Sequence, residues 1–349
     1  MAFENISVII PAYNRADLIE ETIESVLAQS VSPHQVIVVD DGSTDGTPDV
    51  VARFGHSVKL IRQKNQGAGA ARNLGFQNST GDVVHFMDSD DLSSPNTYEV
   101  QLDALNRTGA DFAYGPWVKT RFEQRKVSFQ KVVVQQRAVP TSLAMYKWLL
   151  RGWVTVFQPC LLSRRLIERI GPYRTDLKPT EDSEFLFRIA KAGANFVHTP
   201  ETLLLYRVHP ESQISTGNDC ARRQDWVRYL AAVNQHLAGN GKLDPRTAVT
   251  FGFRIIDAIR GEGVERLEEA KRLSRTISRP LFSLEAITRP ARRLIACVRR
   301  MKFGDNYMSA LGPAPMTDGQ LQLVKQMGFQ PVSNHSDQRS QSLRSATCI

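Results

Sequence analysis

The first 115 residues alternate short apolar runs with amphipathic segments, and that alternation limits the fold more than any other feature. Ile6–Ile10 is a β-branched run that stops at Pro11. Leu18, Ile19, Ile23, Val26 and Leu27 then recur at helical spacing through residues 16–29. Val36–Val39 is a second apolar run, closed by Asp40-Asp41-Gly42. Asp45-Gly46-Thr47-Pro48 supplies cap residues and an early proline for a helix through Phe54. A strand at Val58–Ile61, a helix at Ala68–Gln77, a strand at Val83–Met87 and a helix at Pro95–Arg107 continue the order. Short apolar strands, each followed by a helix, make βαβ units that cover both faces of a mostly parallel sheet. The expected class is therefore α/β.

Residues 116–160 are less regular: Val127-Ser128-Phe129 and 131–134 alternate as antiparallel strands or a hairpin would. Helices are expected at Ser142–Arg151 and Glu181–Ala192, and strands at Phe196-Val197 and Leu203–Tyr206. From about Gly217 the pattern is helical and basic through Phe303, whereas residues 304–349, rich in Gly, Ser, Gln and Asn, read as a flexible tail. The chain thus divides into an α/β domain over 1–216, with halves at 1–115 and 116–216, a helical region over 217–303, and the tail. Charge follows the same division. Residues 1–220 hold 23 basic and 25 acidic side chains, and residues 221–349 hold 21 and 11, so the net +8 belongs to the last third. Four scattered cysteines (Cys160, Cys220, Cys297, Cys348) exclude a disulfide framework or a CxxC zinc site and point to a reducing compartment. The start, MAFENISVIIPAYN, lacks the layout of a signal peptide, and no run of 18 apolar residues occurs, so a cytoplasmic protein is expected.

In an open parallel sheet, ligands bind beyond the carboxyl ends of the strands. Those ends read Pro11-Ala12-Tyr13, Asp40-Asp41 and Asp88-Ser89-Asp90-Asp91, which brings five carboxylates to one edge. Aspartates after strands also form turns and cap helices. Two clusters on one edge, however, repel each other unless a cation or a ligand takes up the charge. Asp88-x-Asp90, directly after an apolar strand, suits a divalent cation with hard oxygen ligands, Mg²⁺ or Mn²⁺. A cation there neutralises a diphosphate leaving group.

Four segments then carry a resemblance. They are Ser7–Asn14 (SVIIPAYN), Val39–Thr47 (VDDGSTDGT), Asn65–Asn73 (NQGAGAARN) and Phe86–Asp91 (FMDSDD). Together they resemble the family 2 glycosyltransferases of the GT-A fold over residues 5–215: inverting enzymes that take a sugar from a nucleotide-sugar. The resemblance implies a nucleotide-binding half in 1–115 and an acceptor half in 116–216. It places Pro11, Ala12 and Tyr13 beside the base and gives Asp41, with Asp40 as second choice, the uracil N3–H. It puts Arg72 on the nucleotide or its phosphates, and Asp88, Ser89 and Asp90 in the DxD-type element, with Asp90 as direct metal ligand. Gly171-Pro172-Tyr173, followed by Thr180-Glu181-Asp182-Ser183-Glu184, resembles the family's catalytic loop. It implies Asp182 as general base and Glu181 as runner-up, although the same acids also suit a helix N-terminus. Tyr206-Arg207-Val208-His209 resembles the YRxH element, which makes His209 a candidate contact to the metal or diphosphate.

Other readings fit less well. Gly67–Arg72 mimics a dinucleotide fingerprint, but Arg72 stands where the third glycine belongs and the segment follows the third strand. A sugar nucleotidyltransferase needs a glycine-rich loop after the first strand, where this chain has Pro11–Arg15. The basic last third also allows a non-catalytic nucleic-acid-binding protein, yet no nucleic-acid motif accompanies it and no nucleic-acid partner is expected. Ala291–Phe303 (ARRLIACVRRMKF) sets an apolar stripe among arginines, as a helix resting on the inner face of an anionic membrane does. The expected partners are a nucleotide-sugar, most concretely a UDP-sugar, and a saccharide or lipid-linked saccharide acceptor in cell-surface polysaccharide or glycoconjugate synthesis.

Overall fold

A computed structural model of the protein describes residues 2–130, 133–153, 155–208, 219–238, 243–260, 263–264, 267–276 and 314–332. β1 (Ile6–Ala12), β2 (Gln35–Asp40), β3 (Lys59–Arg62) and β4 (Val83–Phe86) run parallel. They are joined through α1 (Ile19–Leu27), α2 (Thr47–Ala52) and α3 (Ala68–Gln77). β5 (Leu92–Ser93) and α4 (Thr97–Thr108) lead to β6 (Phe112–Tyr114), β7 (Trp117–Glu123), β8 (Lys126–Phe129) and α5 (Met145–Leu150). β9 (Cys160–Ser163) enters the sheet antiparallel to both β4 and β6. After α6 (Arg164–Ile170) and α7 (Glu181–Lys191), β10 (Phe196–His198) pairs parallel with β6. The main sheet therefore has seven strands in the order β10-β6-β9-β4-β1-β2-β3. It is the expected α/β arrangement, mostly parallel with a small antiparallel portion.

The sheet is covered on both faces because alternate residues of its strands enter different cores. Ile6, Val8 and Ile10 pack with Ile19, Ile23 and Val26 of α1, whereas Ile9 and Phe86 join Ile167 of α6 and Phe185 of α7. Gly75 in α3 faces β1 so closely that a Cβ there would lie 2.3 Å from Ile9 Cγ2, so only glycine lets the helix sit down. Trp153 and Trp117 are buried in the two main core clusters.

A second sheet, β12-β8-β7-β11-β5, uses β11 (Leu204–Arg207) and β12 (Gln330–Pro331). β7 and β8 form an antiparallel hairpin that takes in the expected stretch Val127–Phe129 but pairs it with Trp117–Glu123 rather than with 131–134, and β5 pairs antiparallel with β11. The acidic turn between β4 and β5 is thus suspended between two sheets. Beyond β11, the described residues hold the helices α8 (Asp219–Leu237), α9 (Pro245–Ile259) and α10 (Glu268–Thr276). Ala291–Phe303 lies outside the described residues. The flexible-tail reading of 304–349 is corrected for 314–332, which holds a helix at Asp318–Gln326 and the strand β12, paired with β8. That helix starts with a complete capping box between Thr317 and Gln320, and Leu323 and Val324 pack against the second sheet's core. Among the described residues no helix is long and apolar enough to cross a membrane.

Candidate active site

Pro11 and Ala12 end β1 opposite Val39 and Asp40, and both are buried. Tyr13, the next ring, is 45% exposed. Asn14 follows in the left-handed region at φ 52°. Its N–H donates to Ser43 Oγ (2.9 Å), and its Oδ1 accepts from Thr44 N–H (2.9 Å). A short amide that tolerates this backbone and bonds locally fixes the turn that leaves Tyr13 in the open.

Asp40 and Asp41 are buried and already spoken for. Asp40 accepts from Ser43 N–H (3.1 Å) and from Arg62 Nε (2.9 Å). Asp41 accepts from Gln63 Nε2 (2.6 Å) and from the N–H groups of Gln66 (2.9 Å) and Gly67 (2.7 Å). Gly67, at φ 96°, immediately precedes α3. The Asp41 carboxylate therefore anchors the loop that launches that helix.

The turn after β4 is built differently. Asp88 accepts from Arg72 Nη2 through Oδ1 (2.8 Å) and from Gln158 Nε2 through Oδ2. Ser89 is buried, and Asp90 Oδ2 lies 3.5 Å from Arg15 Nε. Asp91 accepts the Arg207 N–H through Oδ1 (2.8 Å), while its Oδ2 is buried with no hydrogen-bond partner. Burial, then Asp90 and Asp88, push the Asp91 carboxyl well above the usual carboxylate range. One oxygen from each of Asp88, Asp90 and Asp91 falls within 4.8 Å of the others. Three carboxylates this close, one of which has an oxygen without a hydrogen bond, fit a divalent cation. Among the described residues Asp40 and Asp41 do not join that group.

Arg72 connects this turn to the loop before α7. It is 3% exposed and lies 2.8 Å from Asp88, 3.3 Å from Glu181 and 3.2 Å from Asp182, over the Tyr173 ring. Burial alone would lower its pKa, but Asp182, Asp88, Tyr173 and Glu181 outweigh that and raise it well above the ordinary value. Asp182 is half-buried at the start of α7. Burial raises its pKa, Arg72 pulls it back, and Glu181 and Asp88 raise it again, leaving it at about 7. The helix-cap explanation for these acids weakens here, because Thr180 makes no side-chain cap bond. Its N–H and hydroxyl donate instead to Asp225 of α8 (2.9 and 2.6 Å). Asn73 and Tyr173 exchange bonds of 2.9 and 2.8 Å, which lock α3 to the same loop.

Sequence reasoning gave no role to Arg15, Gln158 or Arg207. Arg207 donates from Nε to the Asp90 carbonyl (2.8 Å), bonds Glu21, and lies over the Phe122 ring at 3.8 Å, so it grips the acidic turn. The YRxH signal was there, but it drew attention to His209, which lies outside the described residues.

Residues 7–171 match the family model described as glycosyl transferase family 2. Residues 7–171 thus form a family 2 glycosyltransferase domain, and the relatives that align with it are named glycosyltransferases. An uncharacterized glycosyltransferase of Rickettsia typhi is 29% identical over 212 residues, which are 61% of this chain and 66% of that protein. The putative glycosyltransferase EpsH of Bacillus subtilis is 31% identical over 220 residues, 59% of this chain and 62% of EpsH. YibD of Escherichia coli, an uncharacterized glycosyltransferase, is 28% identical over 325 residues, 86% and 89% of the two chains. The chain thus spans just under two thirds of the first two relatives and most of the third. Among solved structures, S. aureus TarS in complex with UDP-GlcNAc superposes with a TM-score of 0.61 at 18% identity, covering 87% of this chain and 89% of that one. The mannosyltransferase PcManGT of Pyrobaculum calidifontis, in complex with GDP-Man and Mn²⁺, gives 0.54 at 21% identity, covering 88% and 85%. These likenesses show the GT-A fold.

Proposed function

We propose that the chain transfers a sugar from a nucleotide-sugar, most concretely a UDP-sugar, to a hydroxyl of a saccharide or lipid-linked saccharide, with inversion at the anomeric carbon. The observation that carries this reading is Arg72, whose guanidinium joins the acidic turn at Asp88 to the pair Glu181–Asp182. Two sites with opposite tasks, one for a leaving diphosphate and one for an incoming hydroxyl, are thereby within one side chain of each other.

Asp182 is the base. A carboxyl poised near 7 is deprotonated in a useful fraction of molecules and still holds a proton well enough to draw it from a hydroxyl as that oxygen attacks. Inversion follows from a single displacement that needs one base opposite the leaving group. Glu181, beside Arg72, remains the runner-up. Asp88 and Asp90, with the unspent Oδ2 of Asp91, would hold the divalent cation, Mg²⁺ or Mn²⁺, which neutralises the leaving diphosphate. Arg72 adds fixed positive charge on the same side, and Tyr13 offers an exposed ring to the base. Asp41 keeps lone pairs beyond its three bonds and takes the uracil N3–H, with Asp40 held behind it by Arg62. The GT-A fold itself does not choose the donor, since one structural neighbour is bound to UDP-GlcNAc and another to GDP-Man. A cytoplasmic site, a role in cell-surface polysaccharide synthesis, and membrane contact through Ala291–Phe303 belong to the same proposal. Nucleotide release across a panel of UDP- and GDP-sugars, with Mn²⁺ and with chelator, tests it. Release from none of them, or equal release in chelator, overturns it.

A further inference from the structure

The stretch Gln158-Pro159, just ahead of β9, is held by an unusual investment of buried polar groups. His85 of β4 places Nδ1 2.8 Å from the Tyr98 hydroxyl and Nε2 2.7 Å from the Gln158 carbonyl. A carbonyl only accepts, so Nε2 carries the proton and the tyrosine hydroxyl donates to Nδ1. Burial keeps the ring neutral, with its pKa lowered to about 4. Gln101 donates to the Pro159 carbonyl (2.7 Å), and the Gly115 N–H reaches the same oxygen (3.0 Å). Tyr98, His85 and Gln101 are all fully buried, and all three serve this two-residue stretch.

The side chain they hold reaches the acidic turn. Gln158 is 2% exposed and donates from Nε2 to Asp88. That bond fixes the amide, because turning it over would set its oxygen against a carboxylate. Oε1 is then a buried acceptor with no hydrogen-bond partner, a costly arrangement in a folded chain. Glu181 Oε2 is also buried without a hydrogen bond, and Glu181 is joined to Asp88 through Arg72. Gln158 Oε1 and Glu181 Oε2 both accept and neither donates. A ligand group rich in O–H or N–H donors satisfies them, and a phosphate, which only accepts, does not. A glycosyl ring has that character.

We propose that Gln158 reads the transferred sugar, its Oε1 accepting from a hydroxyl or amide N–H of the donor's glycosyl group. The inference rests on the glycosyl-transfer reading above and adds to it a specificity-determining residue. Gln158 sets which sugar is taken, while Arg72 and the acidic turn answer to the diphosphate, which is common to all donors.

The test uses the full chain with UDP-glucose, UDP-galactose, UDP-N-acetylglucosamine and GDP-mannose, followed by the monodeoxy analogues of the best donor. One deoxy position is expected to lower kcat/KM by about tenfold to a hundredfold, because the site's acceptor is then left unpaired. Gln158→Met, similar in size, should lower kcat/KM for the parent donor by a like factor and cease to discriminate against that analogue. The Ki of the free nucleoside diphosphate should stay within about threefold. A Ki that rises in step with KM overturns the proposal, since Gln158 would then only hold Asp88. Unchanged discrimination in the variant overturns it as well. If Gln158→Met does not fold, the deoxy series on the unaltered chain decides, and equal turnover of every analogue overturns the proposal. Nucleotide release from none of the four donors overturns the transfer reading, and this inference with it.

Discussion

The turns that follow β2 and β4 offer the same chemistry at the same edge of one sheet, yet the chain treats them in opposite ways. Asp40 and Asp41 are surrounded by donors: a guanidinium, a side-chain amide and three backbone N–H groups. Asp88, Asp90 and Asp91 are crowded against one another, and one buried oxygen of Asp91 has no hydrogen bond. Carboxylates that accept several hydrogen bonds stabilise a fold. Carboxylates that face each other repel, and although Arg72 and Arg15 lie beside Asp88 and Asp90, Asp91 is still pushed upward by burial and by both neighbours. The first turn thus reads as architecture with a ligand-facing edge, and the second as a site whose stability is completed by what binds.

Exchanging the charge of Asp90 strikes at the second turn most directly. Asp90→Asn is expected to lower metal-dependent transfer by about a thousandfold or more, since the cation's charge stabilisation amounts to several kcal/mol. It should leave the melting temperature unchanged or slightly raised, because it relieves repulsion on Asp91. Activity measured with and without chelator, beside a thermal melt, checks both halves. A variant that melts much earlier would mean the two turns do not differ as described.

Asp182→Asn keeps shape and removes basicity, so kcat should fall by about a hundredfold to ten-thousandfold with little change in donor KM. Steady-state kinetics on Asp182→Asn and Glu181→Gln side by side locate the base, and normal turnover of the first with loss in the second moves it one residue back.

With Asp182 at about 7, the acid limb of log kcat/KM against pH should rise with unit slope and bend near that value. The same shift has a stability consequence. The folded chain holds this proton where the unfolded chain, with an ordinary aspartate value of about 3.9, has released it. Between about pH 4 and 7 that group's contribution therefore falls as pH rises. A pH series of melts, compared between the unaltered chain and Asp182→Asn, isolates the effect.

The smallest change is expected at the first turn, and there it should appear in stability. Asp41→Asn weakens the charge-assisted bonds that hold the loop before α3, at a cost of about 1–3 kcal/mol. A melt several degrees lower is the expected result. An unchanged melt would erase the contrast between the two turns.

Much of this was legible along the chain. The strands and helices of the first half follow from apolar runs and their spacing, and Asp88-x-Asp90 is visible because its members are neighbours. Asp182 stood out only through family resemblance. Gln158 and Arg207 were invisible as site residues because their partners, Asp88 and Asp90, lie 70 and 117 positions away. No periodicity encodes such a contact. The structured segment around Asp318–Gln326 was missed for a different reason. Its Thr317 and Gln320 form a capping signal within a polar context, where composition argued for disorder.

The suspension of the acidic turn between β4 and β5 has a consequence for how the chain tolerates change. Met87 N–H is bonded to Ile9 of the main sheet, and Leu92 pairs with Leu205 of the second. The four residues between form a turn, with the Asp91 N–H on the Asp88 carbonyl (3.5 Å), and each end of that turn is fixed to a different sheet. Adding or deleting one residue from 88 to 91 would pull one end loose. Insertions at the tip of the β7–β8 hairpin, around Gln124, leave both ends where they are. Random insertion libraries should therefore leave a gap over 87–92 and survivors at 124–125.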